Sequence, residues 1–483
     1  MRGSFWVFFL KFCQQSLDFL RVVLLARFLM PTDFGLMGIA LLTMATLETF
    51  SFMGLQQALV QKTEITETHL NTVWTLSIIR GFVVFLLLYA IAPMSAVFFK
   101  TPEAEMIIKI TGLALILQSL SNIGVITFQK DLEFGKQFIY QFSGVVVTFL
   151  VSIIVLYIVR SVWAMVWGLL AGSLARLVVG YLIHPYRPRI HFDFENAREL
   201  FKFGRWLLIS SVVIFLFSQG DDIFVGKMLG VSLLGFYQLA YRISNTATSE
   251  IASVISQVMF PAYSKMQNQT DSLKKGYLKV FRATLLLSLP ITGLIFILAP
   301  EFTRIFLAIK WMPIVPIMRI LVFFGLLRAI GATSGILFHG MGTPYVAMKW
   351  EIVRLGVLVA AIFPLTHQYG IEGVAYAVLL GQAVMSLNLC REAGKAMECG
   401  MIEQMRPAIL PSTCTVIMAT VVFTLKLLFQ IEAVWSFFLF AVAGGIAYVG
   451  SLYALDHFFN CGIRSLVSEH FLFLKLEENG RKA

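Results

Sequence analysis

In the first twenty-one residues, Lys11, Gln14, Asp18 and Arg21 recur at steps of three or four inside an otherwise apolar run. On an α-helix that spacing puts all four on one face. Two readings stay open: a wet stripe lining a solvent-filled passage, or an internal Asp18–Arg21 pair that neutralises itself. A second stripe runs through Ser211, Ser218 and Asp222, with Asp221 about 100° further round the helix. A charge at the centre of a membrane helix costs about 2.5–3.5 kcal/mol on insertion scales, so such charges mark a functional site by default. Arg80, Arg176, Arg242, Arg319, Arg328 and Arg354 also fall in apolar runs. Arg80 and Arg176 are read as reaching back to the interface from span ends. Glu48 and Glu250 lie deep in their runs and suit a proton or sodium site, or equally a hydrogen-bonded structural role. With Asp18, Asp221 and Asp222 they form the candidate set for ion coupling or gating.

The chain that must position these groups reads as membrane helix almost end to end. Of its 483 residues, 58% are hydrophobic and 13% charged, against about 25% charged in a soluble domain. The mean hydropathy is +0.82. Runs of roughly 20 apolar residues, the length that crosses a bilayer as a helix, follow one another. The period-2 alternation of a barrel strand is missing. Breakers and polar connectors give about fourteen predicted spans: 5–29, 34–59, 72–98, 104–128, 138–159, 162–184, 203–228, 233–262, 280–308, 313–339, 344–366, 371–393, 407–430 and 434–458. The predicted class is an all-α integral membrane protein. The opening MRGSFWVFFLKF lacks a small-residue cleavage site and is read as an uncleaved first helix.

With the N-terminus inside, inner connectors hold Lys130, Lys136, Arg187, Arg189, Arg198, Lys202, Lys265, Lys274, Lys275, Lys279, Arg391, Lys395 and Arg406. Outer ones hold mainly Lys100, Arg160, Lys227, Lys310 and Lys426. The positive-inside rule then puts both termini in the cytoplasm. The chain also resembles itself. A shift of 200 positions lays Ala26-Arg-Phe-Leu-Met-Pro-Thr-Asp-Phe-Gly35 on Gly226-Lys-Met-Leu-Gly-Val-Ser-Leu-Leu-Gly235, matching Arg27 with Lys227 and Gly35 with Gly235. The same shift sets Asp221 opposite Arg21, so an Asp221–Arg21 interaction between the copies is one reading; wetted structural aspartates beside Lys227 are the other. The expected organisation is a six-helix lobe over 1–184, a cytoplasmic linker over 185–202, and a second six-helix lobe over 203–393. Two further spans and a tail fill 394–483. Two parallel repeats of this kind suit a rocking transporter with a central cavity.

The 26–35 turn resembles the first-loop signature of the Wzx-type polysaccharide transporter branch of the MOP flippase superfamily. So do Gly54-Leu-Gln-Gln-Ala-Leu-Val-Gln-Lys62, Glu67-Thr-His-Leu-Asn-Thr-Val-Trp74 and Phe128-Gln-Lys-Asp-Leu-Glu-Phe134. In the second half the same pattern is met by Asp222-Ile-Phe-Val-Gly-Lys-Met-Leu-Gly230, Leu234-Gly-Phe-Tyr-Gln-Leu-Ala-Tyr-Arg242 and Val258-Met-Phe-Pro-Ala-Tyr-Ser264. The likeness covers about residues 10 to 390, and its nearest branch serves colanic-acid-like exopolysaccharides. Lys11 departs from the pattern, where the family is usually apolar. The resemblance implies a flippase that carries undecaprenyl-diphosphate-linked repeat units from the inner to the outer leaflet of a bacterial cytoplasmic membrane by alternating access. It serves exopolysaccharide or lipopolysaccharide biosynthesis, with proton or sodium coupling in some members. Guanidinium binds phosphate through paired hydrogen bonds, so Arg242, Arg328 and Arg354, with Arg21, become the expected headgroup contacts. Expected partners are the lipid-linked oligosaccharide, membrane lipid, and polysaccharide polymerase and chain-length machinery.

Other classes fit less well. The net charge of +11 is spread over connectors rather than gathered into an aromatic-interleaved basic patch, so nucleic acid is not expected. Five cysteines and seven histidines show no metal spacing, and Val225-Gly-Lys-Met lacks the glycine-rich turn of a phosphate loop. No metal, cofactor or catalytic residue is assigned. An ion-coupled multidrug exporter of the same superfamily is the first alternative, though a pocket for cationic drugs calls for carboxylates rather than arginines. A membrane polysaccharide polymerase is the second; it calls for a long outer loop, and none is present.

Overall fold

The computed structural model describes residues 2–52, 54, 59, 66–131, 133–193, 211–212, 214–267, 269–429 and 431–459. Most of the Gly54–Lys62 motif, the second half of the 185–202 linker (194–202) and all of the tail after 459 lie outside the described residues. Those described are helical and contain no strand. In chain order the helices are α1 (Arg2–Phe28), α2 (Pro31–Phe50), α3 (Glu67–Phe98), α4 (Ala104–Thr111), α5 (Leu113–Ser119), α6 (Thr127–Lys130), α7 (Phe134–Val159) and α8 (Trp163–Ile183). There follow α9 (214–228), then α10 (Val231–Met266), α11 (Thr270–Phe302), α12 (Ile314–Gly340), α13 (Tyr345–Tyr369), α14 (Ile371–Ala396), α15 (Met401–Leu428) and α16 (Val434–Phe459). Each of the fourteen predicted spans meets a helix. Nine described helices are long and apolar enough to cross a membrane by length and composition. The long helices α1, α10 and α13 fall outside that group; α1 carries the Lys11–Arg21 stripe, α10 Arg242 and α13 Arg354.

The fourth span departs from expectation. It was predicted as one helix over 104–128 and is instead α4 and α5, a 3-10 turn at Ile123–Ile126 and the short α6. Two local causes act. Gly112 takes Leu88 and Phe85 against its bare Cα, which puts the joint between α4 and α5 where a side chain would collide. Further on, the Asn122 side chain accepts from the Gly124 N–H (2.9 Å) and donates to the Tyr186 carbonyl (2.8 Å). Such local side-chain bonds compete with helix continuation.

The chain divides into two compact units, one of residues 1–239 with 306–314, the other of 240–305 with 315–483. In the first, Leu25 of α1 and Leu29 just after it pack with Leu156 of α7 and Ala164 of α8. Helices α7 and α8 approach along a seam of small residues: Gly168 lies on Ser152, and Gly172 lies on Thr148. Close backbone approach through small side chains is how membrane helices gain contact without a hydrophobic driving force. In the second unit, Tyr263, Tyr277, Phe281, Leu337 and Leu389 form the core, stitched by Tyr277–Ser334 (2.8 Å) and Thr284–Thr333 (3.0 Å) hydroxyl pairs.

The two C-terminal helices are tied to this second unit by charge as well as by packing. Lys426 Nζ lies 2.8 Å from Glu301 Oε1 and donates to the Ile297 carbonyl at 3.0 Å. Arg304 donates to the Ile431 carbonyl. Both members of the Lys426–Glu301 pair are largely sequestered, and Glu301 Oε2 makes no hydrogen bond. Removing one partner strands the other charge, so Lys426→Ala is expected to cost about 3 kcal/mol. The checks are thermal unfolding in detergent and protease release of the 401–459 hairpin; unchanged behaviour in both would show the pair to be neutral.

Candidate functional site

The second unit gathers the candidate cations onto three helices. Arg328 sits on α12 about 21 Å from the helix start and about 18 Å from its end, at 1.5 Å per residue, which is mid-span. It is exposed, and its Nη1 donates to the Tyr241 hydroxyl of α10 at 3.3 Å. Arg242 follows Tyr241 and is also exposed. An exposed guanidinium at that depth faces water or polar protein rather than lipid tails. Arg354 on α13 is held differently. Its Nε lies 2.9 Å from Glu351 Oε2, and its Nη1 donates to Gln382 Oε1 of α14 at 2.9 Å. Gln382 in turn donates to Ser386 Oγ (2.9 Å), which donates to the Leu327 carbonyl (2.7 Å), one residue before Arg328. Glu250 is half-buried on α10. Arg319 donates to the Phe296 carbonyl (3.2 Å) and lies over the Phe296 ring.

In the first unit, Asp18 and Arg21 form the internal pair at 3.0 Å, and Gln14 of the same stripe donates to Gln141 of α7 at 3.4 Å. Arg21 Nε is buried without a hydrogen-bond partner. Arg80 donates to the Ser51 and Glu48 carbonyls (2.9 and 3.1 Å) at the C-terminal end of α2. It therefore caps a helix end, where carbonyls and dipole favour a cation. The Glu48 carboxylate lies in the field of the Arg80 guanidinium. Asp221 is buried and accepts from the Tyr237 hydroxyl (2.6 Å), while Asp222 accepts from Gln238 (3.3 Å). Lys227, read as a neighbour for the aspartates, instead donates to the Phe98 carbonyl at the end of α3 (2.7 Å). Arg176 folds over Gly144 of α7.

One contact concentrates several of these residues. A Cβ on Gly35 would overlap the Val231 carbonyl, and a Cβ on Gly235 would overlap the Pro31 carbonyl. Positions 31 and 35 thus meet 231 and 235 reciprocally, at the 200-residue shift seen in the sequence. Gln238, the partner of Asp222, lies on Gly38. Trp311, fully buried, packs edge-on against Phe34 and Phe236 and donates Nε1–H to the Ala26 carbonyl (2.7 Å); Lys310 donates to the Arg27 carbonyl (3.0 Å). The two turns and the 309–311 segment form an interlocked crossing around the buried Trp311.

Comparison with known proteins decides the family. Residues 24–316, more than half of the chain, match the family described as "Polysaccharide biosynthesis protein". The chain belongs to that family. Its relatives include the lipopolysaccharide biosynthesis protein WzxC of Escherichia coli, 24% identical over 77% of this chain and 76% of that one. The teichuronic acid biosynthesis protein TuaB of Bacillus subtilis is 24% identical over 73% of each. In fold this family member is similar to the lipid II flippase MurJ in an inward closed conformation, with TM-score 0.74 and 16% identity over 95% of this chain and 99% of that one. A multidrug MATE transporter of the MOP superfamily, inward-facing, follows at TM-score 0.63, 16% identity, and 80% and 94% coverage. The multi-pass, all-helical MOP transporter fold expected from the sequence is the fold observed.

Within this polysaccharide biosynthesis protein, three residues of the clusters were missed by sequence reasoning. Glu351 carried a usable signal, since Glu351-x-x-Arg354 repeats the spacing of Asp18-x-x-Arg21. Gln382 and Trp311 carried none, because their partners lie on distant helices. The described start of the linker adds a further network. Tyr186 donates its hydroxyl to Asn71 of α3, and the Arg189 and His191 N–H groups donate to Asn71 and Thr75 (2.8 and 3.1 Å). Burial first, then the Glu67 charge, pushes the Tyr186 phenol up to about 12, so it remains a donor.

His184 Nδ1 accepts from the Tyr186 N–H (3.1 Å), which fixes the ring proton on Nε2, facing Thr127 Oγ1 at 3.2 Å. Burial first, then Lys136, lowers the His184 pKa; Arg187 adds to this, while Glu133 and Asp131 oppose it. A histidine lowered in the folded state stabilises that state above its ordinary value of about 6.5 and loses the contribution as pH falls below it. Amide exchange over 184–191, corrected for intrinsic rate, is therefore expected to quicken between about pH 6.5 and pH 5. A flat profile would show that His184 does not hold this segment.

Proposed function

We propose that this protein is a flippase for a lipid-linked oligosaccharide bearing a diphosphate, working by alternating access in a bacterial cytoplasmic membrane. The observation that carries the reading is Arg328: an exposed, mid-span guanidinium braced by Tyr241, in a member of a polysaccharide biosynthesis family. Two relatives are named for lipopolysaccharide and teichuronic acid biosynthesis, and a protein of similar fold is named as a lipid II flippase. A diphosphate headgroup needs cationic donors at the bilayer midplane, where transporter sites lie, and Arg242 and Arg328 supply them. The lysine and arginine asymmetry of the connectors favours cytoplasmic termini, which puts the glycine crossing at the outer face. Two lobes at 1–184 and 203–393, with coupling or gating through Asp18, Glu48, Asp221, Asp222 and Glu250, complete the reading. Polymerase and chain-length proteins remain the expected partners, and the chain itself is read as a carrier rather than an enzyme.

The multidrug exporter reading is less well supported, since the exposed mid-span groups named here are arginines, which repel cationic drugs. A deletion strain tests the proposal. Loss of the protein is expected to leave lipid-linked repeat units accumulating on the inner leaflet, with surface polysaccharide lost and restored by a plasmid copy. Normal export without accumulation would sink the reading.

A further inference from the structure

Glu351 is a carboxylate placed among guanidiniums on the face just assigned to the headgroup. Its Oε2 lies 2.9 Å from Arg354 Nε, with the side chains 31% and 18% exposed respectively, so the pair is partly shielded from water. Arg354 and Arg328 both act on its charge. The Glu351 Oε2 atom is nevertheless buried without a well-aligned hydrogen bond. Arg354 is thus an ion-pair partner with a spare carboxylate lone pair opposite it, and Gln382, Ser386 and the Leu327 carbonyl continue the network to the residue before Arg328. A bare pair of guanidiniums inside a membrane protein is costly, and one anion among them offsets much of that cost.

We propose that Glu351 is the resident counter-anion of this cationic face, holding Arg354 in the empty protein and yielding it to the substrate's phosphate when the headgroup arrives at Arg328. The inference rests on the flippase reading above and deepens it. Arg354 then has an anion opposite it in both forms, Glu351 in the empty protein and the substrate's phosphate in the loaded one. Glu351 is a positioning residue here: it sets how strongly Arg354 and Arg328 hold an anion, and it weakens binding in exchange for release. The signature is a split between affinity and turnover, which loss of a merely structural ion pair does not produce.

The test uses the full chain in lipid nanodiscs with farnesyl diphosphate as the probe, inorganic pyrophosphate and farnesol as comparison arms, and transport scored by complementation of the deletion strain. Glu351→Gln is expected to bind farnesyl diphosphate about tenfold more tightly, a change of about 1.4 kcal/mol, while export falls at least severalfold. Pyrophosphate gaining the same factor, with farnesol unchanged, assigns the effect to the diphosphate rather than the lipid. Adding Arg328→Ala to Glu351→Gln is expected to cancel the gain. Equal or weaker binding by a Glu351→Gln protein that keeps its unfolding temperature overturns the proposal. If that variant does not fold, Gln382→Glu takes its place: a second carboxylate against Arg354 is expected to weaken binding about tenfold, and unchanged binding overturns the proposal equally. Failure of the wild-type protein to bind any of the diphosphates removes the flippase reading itself, which the other results leave standing.

Discussion

Arg328→Ala is expected to lower export of lipid-linked repeat units by about ten- to a hundredfold while the protein reaches the membrane in normal amount. A hydrogen bond to a charged group is worth about 1.5–3 kcal/mol, and each 1.4 kcal/mol is a factor of ten. Arg328 has the exposure and depth to make such a bond, and the Tyr241 hydroxyl that braces it is not a charge partner. Arg328→Lys keeps the charge but loses the planar fork that matches phosphate, so it should recover only part of the loss. Arg354→Ala differs in kind, because it also strands Glu351 and Gln382; its defect should include a lower unfolding temperature. The measurement is surface polysaccharide and inner-leaflet intermediate in the complemented deletion strain. Full export by Arg328→Ala would remove this residue from the binding site.

The second large effect is expected at Gly235. A valine there places carbon against the Pro31 carbonyl, and a backbone oxygen inside a helix turn has nowhere to go. Overpacking of a tight contact costs about 1–3 kcal/mol. Set against a two-state equilibrium, that moves the closed population by roughly five- to a hundredfold or more. Gly235→Val should therefore hold the crossing open, cut export by at least tenfold, and speed labelling of a cysteine introduced at Phe34 by a membrane-impermeant maleimide. Gly38→Ala is the milder comparison, because the atom it meets is the flexible Gln238 amide. Slow labelling and normal export in Gly235→Val would show that the crossing does not gate transport.

These two predictions separate what the residues alone reveal from what they hide. The spans were legible because a bilayer imposes length and apolarity on each one, and the 200-residue shift was legible because turns must keep Gly35 and Gly235. The break of the fourth span was not, since it depends on Leu88 packing against Gly112 from another helix. Rotation about each helix axis was the weak point for the site. Asp18-x-x-Arg21 stood out as an i,i+3 pair, whereas Tyr237, which meets Asp221, and Gln382, which meets Arg354, lie on other helices, and no local spacing reports them. The partners of Arg80 were hidden for the same reason: its place near a span end was visible, but the carbonyls at the end of α2 were not. Lys227 likewise took a helix end in place of an aspartate.

The glycine crossing has a consequence for how the two copies constrain each other. Position 35 meets 231, and position 235 meets 31, so the contact is self-complementary: each copy supplies both the bare Cα and the carbonyl that approaches it. Two separate half-length chains related by a two-fold axis would make the same contact twice, as isologous dimers do. Fusion into one chain removes the symmetry requirement everywhere else, and Arg21 and Asp221 at matched positions have used that freedom to take opposite charge. At 35 and 235 it leaves no such freedom, whereas Pro31 and Val231, which offer their carbonyls, already differ. A transplant of residues 31–35 into 231–235, or the reverse, should be tolerated, whereas side chains added to either glycine should not.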